Sequence, residues 1–307
     1  MSTYHLCYTS HDEVMFRNEA DMNVAFNSLC SALCKTDSIC YAYSAMSDHH
    51  HGCYSTKDPG ELIRISRESY TKQFNNKYYR VGPLGDSGLF FQEVAGIKHF
   101  IAAVAYILKN PPHHGVTATP FEYPYSSANA YFRKALGKTR DGEILLTPEQ
   151  IKSVLPRRAA FLPSWQMGTD GVFLPETVLD VSMVESYFVT PQAFNYYLGR
   201  KSGEDWIKEQ AEENNLAPFS LENMETPMII NNAATVADML RNEKSRFVTA
   251  PITDMDLCKI IDEQYIPFYE RKSVYHLKRL EKTEIANELY KKYHAGTNQI
   301  KRCLVMK

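Results

Sequence analysis

Three consecutive histidines, His49, His50 and His51, stand in the middle of the chain in SAMSDHHHGCYST. Downstream, KHFIAAVAYILKNPPHHG carries Tyr106 and Asn110 four residues apart. Alternate residues of a strand share a face, so His49 and His51 point one way and His50 the other. Two imidazoles one strand step apart are well placed to hold a divalent metal. On a helix, Tyr106 and Asn110 rise from one face. Asn110 offers a carbonyl oxygen, a hard ligand suited to Mg²⁺ or Mn²⁺, and Tyr106 a phenolic oxygen. A metal held by two histidines and one amide oxygen keeps open positions for a phosphate, which a tyrosine one helical turn away could attack in line. Three plainer readings stand beside this one. The histidines can be a chance run in a turn, Tyr106 a core aromatic, or the run part of a zinc site with Cys40 and Cys53, whose spacing fits no usual zinc pattern.

These residues need a scaffold, and the pattern supplies one. TYHLCYTS alternates as a strand does, and EADMNVAFNSLCSALCK places Met22, Phe26, Leu29 and Leu33 at helical spacing. Residues 38–56 read as a hairpin, and 61–79 as a helix broken by Gly82, Pro83 and Gly85. A further helix runs from about Lys98 to Asn110, stopped by Pro111 and Pro112. The expected class is α+β, an antiparallel sheet with helices on one face. Residues 1–136 form this domain and 137–165 a linker. Residues 166–244 are mainly helical, with Thr190 capping a helix that starts at Pro191, and 245–307 are basic and helical.

At 307 residues and 44% hydrophobic content the chain is that of a folded protein. Its longest apolar run, FIAAVAYIL, is too short for a membrane span of about 20 residues, and MSTYHLCYTS is no secretory signal. The expected location is the cytoplasm, at the nucleoid. Seven cysteines without a CxxC pair indicate free thiols. Net charge is −2, but residues 271–307 hold ten Lys/Arg against three Glu, a basic end fit for an anionic partner.

ICYAYSAMSDHHHGCYST resembles the strand–turn–strand around the HUH motif of single-tyrosine transposases. FIAAVAYILKNPPHHGV resembles their tyrosine helix, and FEYPYSSANAYF the segment that follows it. The order and spacing of the three blocks are similar to the REP-associated subgroup over residues 1–136. The resemblance implies a ferredoxin-like domain that cuts single-stranded or hairpin DNA at the ends of repeat elements and transfers the strand. His49, His51 and Asn110 would hold Mg²⁺ or Mn²⁺, and Tyr106 would form a 5′-phosphotyrosine. His114 would stand behind the ligands or against phosphate. His50, in a position that is usually apolar, would lie at a wet sheet end or become a ligand through a register slip. The assembly would be a monomer or a homodimer, with no membrane partner. Glu93 and Val94 stand where these proteins carry an arginine, so a derived DNA-binding regulator without cleavage is the alternative.

Two surfaces are expected to meet DNA. The helix after the hairpin carries Arg64, Arg67, Lys72, Lys77 and Arg80, interleaved with Tyr70, Tyr78 and Tyr79. LEKTEIANELYKKYHAGTNQIKRCL outlines a helix-turn-helix, with Asn298, Gln299, Lys301 and Arg302 on the exposed face of its second helix.

Overall fold

The computed structural model describes residues 1–85, 88–200, 204–214, 216–219 and 252–306. The part of the expected helical region from 220 to 251 therefore lies outside the described residues. The first part of the chain runs β1 (Ser2–Thr9), α1 (Glu19–Thr36), β2 (Ile39–Ala45), β3 (His49–Thr56), α2 (Pro59–Tyr78) and β4 (Phe90–Val94). The strands form one antiparallel sheet in the order β2-β3-β1-β4, the ferredoxin-like arrangement of a βαββαβ chain.

Local chemistry sets the helix limits. The Asn18 side chain accepts from the Asp21 amide to start α1, and Asp58 accepts from the Glu61 amide to start α2. Both helices end on a residue in the left-handed region, Asp37 (φ 51°) and Tyr79 (φ 53°). α1 and α2 pack together on one face of the sheet, where Leu6, Tyr43, Tyr54, Leu29, Leu33, Leu62 and Phe74 share a core.

The other face is closed by α3 (Ile97–His113). Residues 99–108 of α3 are buried without interruption, as a helix apolar all round must be. Its inner side meets Tyr41, Ala42 and Cys53. Its outer side meets Phe188, Phe194, Leu198 and Trp206, which come from helices Val181–Phe188, Pro191–Gly199 and Glu204–Ala211. The α3 N-terminus lacks a side-chain cap of its own. Glu213 supplies one, accepting from the amides of Ile97 (2.7 Å), Lys98 (2.7 Å) and His99 (3.1 Å).

Two expectations are corrected here. α3 does not stop at Asn110 but runs through Pro111 and Pro112 to His113. Proline's fixed φ is helical, and the amides of His114, Gly115 and Val116 close the turn on the carbonyls of Asn110, Pro112 and Pro111. Gly115, at φ 67°, ends the turn. The segment 137–165 is also no free linker: Ile151, Leu155 and Trp165 join the core on the α1 side.

The C-terminal part builds a third core from Leu257, Ile261, Val274, Ile285, Leu289, Ile300 and Leu304, with Val14 from the first part. Helices Arg279–Tyr293 and Thr297–Leu304 pair about a short turn, as the sequence suggests. Arg17, wholly buried, joins the parts. Its guanidinium donates to both carboxylate oxygens of Asp262 (3.0 and 2.7 Å) and to the Cys303 carbonyl (2.9 Å). Among the described residues, no helix is long and apolar enough to cross a membrane.

A β-bulge between Cys40 and Ala42 sends Cys40 into the first core while Ala42 stays in the second with Cys53. The two thiols therefore lie on opposite sides of the sheet, which excludes the zinc site they were candidates for. Gly52 is a second tight point. A Cβ there would lie 2.2 Å from the Tyr54 hydroxyl, because the Tyr54 ring folds back across the strand. Gly52→Ala should therefore lower the stability by about 1–3 kcal/mol, read as a lower urea midpoint with an unchanged m-value.

Candidate active site

The hairpin delivers its histidines to both faces. β3 pairs with β1 in the register Thr9↔His49, Tyr8↔His50 and Cys7↔His51. His49 and His51 therefore face α3, together with His5 and Cys7, while His50 faces α1.

On the α3 side, His49 is held at both ring nitrogens. Its Nδ1 lies 2.8 Å from Asp48 Oδ1 and its Nε2 lies 3.3 Å from Asn110 Oδ1. Asn110 in turn donates from Nδ2 to the Tyr106 carbonyl at 3.3 Å, which orients the amide so that its oxygen meets the imidazole. A carboxylate at Nδ1 draws the proton to that nitrogen and leaves a lone pair on Nε2. Nε2 and Oδ1, two atoms able to hold a cation, then face one another at 3.3 Å. Burial opposes ionisation of Asp48, yet Arg302, and after it His49, hold its carboxyl well below the usual carboxylate range.

His51 and His114 flank this pair, with ring centroids 5.3 and 4.9 Å from the His49 ring. His51 does not aim its nitrogens at Asn110. Nδ1 meets His5 Nε2 at 3.0 Å and Nε2 meets Cys7 Sγ at 3.7 Å. His114 Nε2 is buried with no hydrogen-bond partner among the described residues, and so is His5 Nδ1. Burial, with neighbouring imidazoles adding to it, pushes His5 and His114 down to about 3 and His51 well below its ordinary value. All three are neutral donors near pH 7, the form that ligates metals. Among the described residues, no three His, Cys, Asp or Glu side chains are grouped as a metal site. Neutral imidazoles beside an amide oxygen nevertheless make a donor set that fits a divalent cation.

Tyr106 lies one turn before Asn110. Its ring meets His51 and His5 edge-on at 5.5 and 5.7 Å, and it is 8% exposed. It opens on a cavity of about 600 Å³, also lined by Lys109, Asn110, His113, Arg200 and Trp206. His49 and His114 line a neighbouring cavity of about 360 Å³ with Asp48, Asp254, Gln299 and Arg302.

The other expected DNA contacts fall elsewhere. α2 lies across the sheet from Tyr106. There Arg64 binds Glu61 and Glu68, Arg67 donates to the Leu84 carbonyl, and Lys77 pairs with Asp21 and Arg80 with Glu13. Lys72 is exposed, whereas Tyr70 and Tyr78 are core residues and only Tyr79 of the three tyrosines is on the surface. In the last helix Lys301 is exposed, but Gln299 and Arg302 are not the surface residues expected of a recognition helix. Gln299 donates to the Ile252 carbonyl at 2.8 Å. Arg302 bridges Asp254 (2.8 Å) and Asp48 (3.4 Å), because that side of the helix packs onto the site.

Sequence reading missed His5, Cys7, Asp254 and this role of Arg302. The alternation in TYHLCYTS already placed His5 and Cys7 on one face; what it lacked was the register that sets them against His51.

No protein-family profile matches the chain, and no curated protein matches it. One solved structure that it resembles is a REP-associated tyrosine transposase bound to a REP hairpin. The match has 13% identity and a TM-score of 0.38, and it covers 45% of this chain and 80% of that one.

Arg302 answers two buried carboxylates, so truncating it removes the cation that both share. Arg302→Met should cost about 3–5 kcal/mol at neutral pH, measured by denaturant unfolding of the full chain. A loss under 1 kcal/mol would mean that the bridge is not formed in solution.

Proposed function

We propose that this protein cuts and rejoins single-stranded DNA through a covalent phosphotyrosine at Tyr106, in the manner of the HUH transposases. The observation that carries the reading is the convergence of Asp48-held His49 Nε2 and Asn110 Oδ1 at 3.3 Å, one helical turn from Tyr106. His49 and Asn110 would hold the cation, with the neutral rings of His51 and His114 beside them. Mg²⁺ or Mn²⁺ bound there would supply charge to polarise a scissile phosphate.

The remaining work falls to the chain. Lys109 and Arg200 line the cavity onto which Tyr106 opens, and Trp206 gives it a flat wall. Arg200 pairs with Glu209 and lies over the Trp206 ring at 4.6 Å, so Lys109 is the cation of this wall that would meet a phosphate. Attack by the Tyr106 oxygen exchanges one phosphoester for another and frees a 3′-hydroxyl. The bond energy is thereby kept, and the strand can be rejoined without a nucleotide cofactor. α3 is buried on both sides, which fixes Tyr106 and Asn110 relative to the sheet and limits water.

A DNA-binding protein without cleavage is the second reading, favoured by the low exposure of Tyr106. Incubation with a labelled hairpin DNA carrying single-stranded flanks, in Mn²⁺, separates the two. Under the first reading, wild type forms an SDS-resistant protein–DNA adduct and Tyr106→Phe forms none. Asp48→Asn, which withdraws the carboxylate behind His49, forms it about 10–100-fold more slowly. An adduct with Tyr106→Phe excludes Tyr106 as the nucleophile. Binding with no adduct from wild type supports the second reading.

A further inference from the structure

His50 is the member of the histidine run that this reaction leaves unused. On the α1 side of the sheet it lines a cavity of about 260 Å³ whose walls include Tyr8, Phe26, Tyr43, Tyr125 and Phe173. Several of these rings lie in nearly parallel planes. Tyr8 stacks on His50 at 5.1 Å and 19°, Tyr43 lies at 6.5 Å and 6° to His50, and Phe26 stacks on Tyr43 at 4.7 Å. Such a wall favours a flat aromatic guest. The volume falls below the ~300–1,000 Å³ of sites for drug-sized ligands, so one fused ring system fits better than a whole nucleotide.

The polar groups narrow the class. His50 is 5% exposed, and its Nε2 is held by the Tyr54 hydroxyl at 2.7 Å, a contact that Gly52 permits by having no side chain. That leaves Nδ1 as the edge for a ligand. Arg140 and Asp170 line the same cavity. Glu176 and Glu143 steer Arg140 through Nε and Nη1, and among the described residues no partner takes Nη2. Asp170, exposed at the rim, accepts the Val172 amide on Oδ1, and among the described residues no partner takes Oδ2. Guanine carries acceptors, O6 and N7, on one edge and N–H donors on the opposite one, so a guanidinium and a carboxylate match it together. Adenine has an amino donor where guanine has O6 and would set donor against donor at Arg140.

We propose that this cavity binds a guanine base, supplied as a free nucleoside or as an unpaired base of a DNA strand. Pro124 and Tyr125 line both this cavity and the one beside His49. A strand crossing that wall would bring its neighbouring nucleotides to the two sides. The strand source rests on the proposed DNA reaction; the nucleoside source does not.

The test is calorimetric titration of the full chain, without metal, with guanosine and adenosine, and anisotropy with an oligothymidine carrying one guanine. A guanine ligand should bind saturably and about ten-fold or more tighter than its adenine counterpart. Ala25→Leu, which adds bulk inside the cavity, should weaken binding at least ten-fold. Arg140→Met, at the rim, should abolish the preference for guanine. Binding of guanosine assigns the free nucleoside, and guanine-dependent binding of the oligonucleotide alone assigns the strand. The proposal is overturned if neither probe binds saturably, if adenine binds as well as guanine, or if Arg140→Met leaves the preference intact. Should Ala25→Leu fail to fold by circular dichroism, Arg140→Met decides. Because no cleavage is read, a failed Tyr106 adduct assay leaves this result standing.

Discussion

The Asp48 carboxylate is the contact on which the rest of the site depends. It sits in the turn between β2 and β3, buried, with one oxygen on His49 Nδ1 and the other on Arg302. Taking a carboxylate out of water costs several kcal/mol, and only good partners on its lone pairs offset that. Here the partners come from opposite ends of the chain. The histidine side fixes the His49 tautomer and so gives Nε2 its lone pair. The arginine side extends to Asp254 and pins the last helix over the hairpin. The chemistry of β3 and the position of the C-terminal part are thus two effects of one charge.

Much of the scaffold was legible because its causes are local. The period of two in HHHGCYST separates His50 from His49 and His51. The prolines and polar caps at 58, 59, 190 and 191 start helices where they should. Tyr106 and Asn110 share a helix face for the same reason. What escaped is non-local. Nothing in TYHLCYTS says that Cys7 lies opposite His51, since the register of β1 on β3 is settled by the whole sheet. The last helix shows a basic face, but whether that face meets solvent or Asp254 depends on packing more than two hundred residues from the hairpin it covers. Pro111 and Pro112 misled because proline's fixed φ is itself helical, and the amides that follow them close the turn on Asn110, Pro111 and Pro112.

β3 also separates two kinds of chemistry by the thickness of a sheet. On one side, neutral imidazoles, an amide and a phenol converge with little apolar surface between them. On the other, rings from three strands and a helix line up in near-parallel planes. One residue of slippage would exchange His50 for His49 or His51 and spoil both sides at once. Gly52 and the Tyr54–His50 hydrogen bond work against such slippage, since the ring can lie across the strand only where a residue without a side chain stands two positions earlier.

The α3 cap has a consequence for what counts as a domain. The three amides at the start of the tyrosine helix are satisfied by Glu213, and the helix's outer surface is covered by Phe188, Phe194, Leu198 and Trp206. A chain ending near residue 136 would keep His5, His49, His51, Tyr106, Asn110 and His114 of the candidate site but lose Asp254 and Arg302. It would also leave the helix that carries two of them with open amides and an apolar flank in water. Most side chains of the candidate site come from the first 136 residues, while the cap and cover of the helix that holds two of them come from the next eighty. Residues 1–136 are therefore a unit of sequence rather than a unit that can be excised.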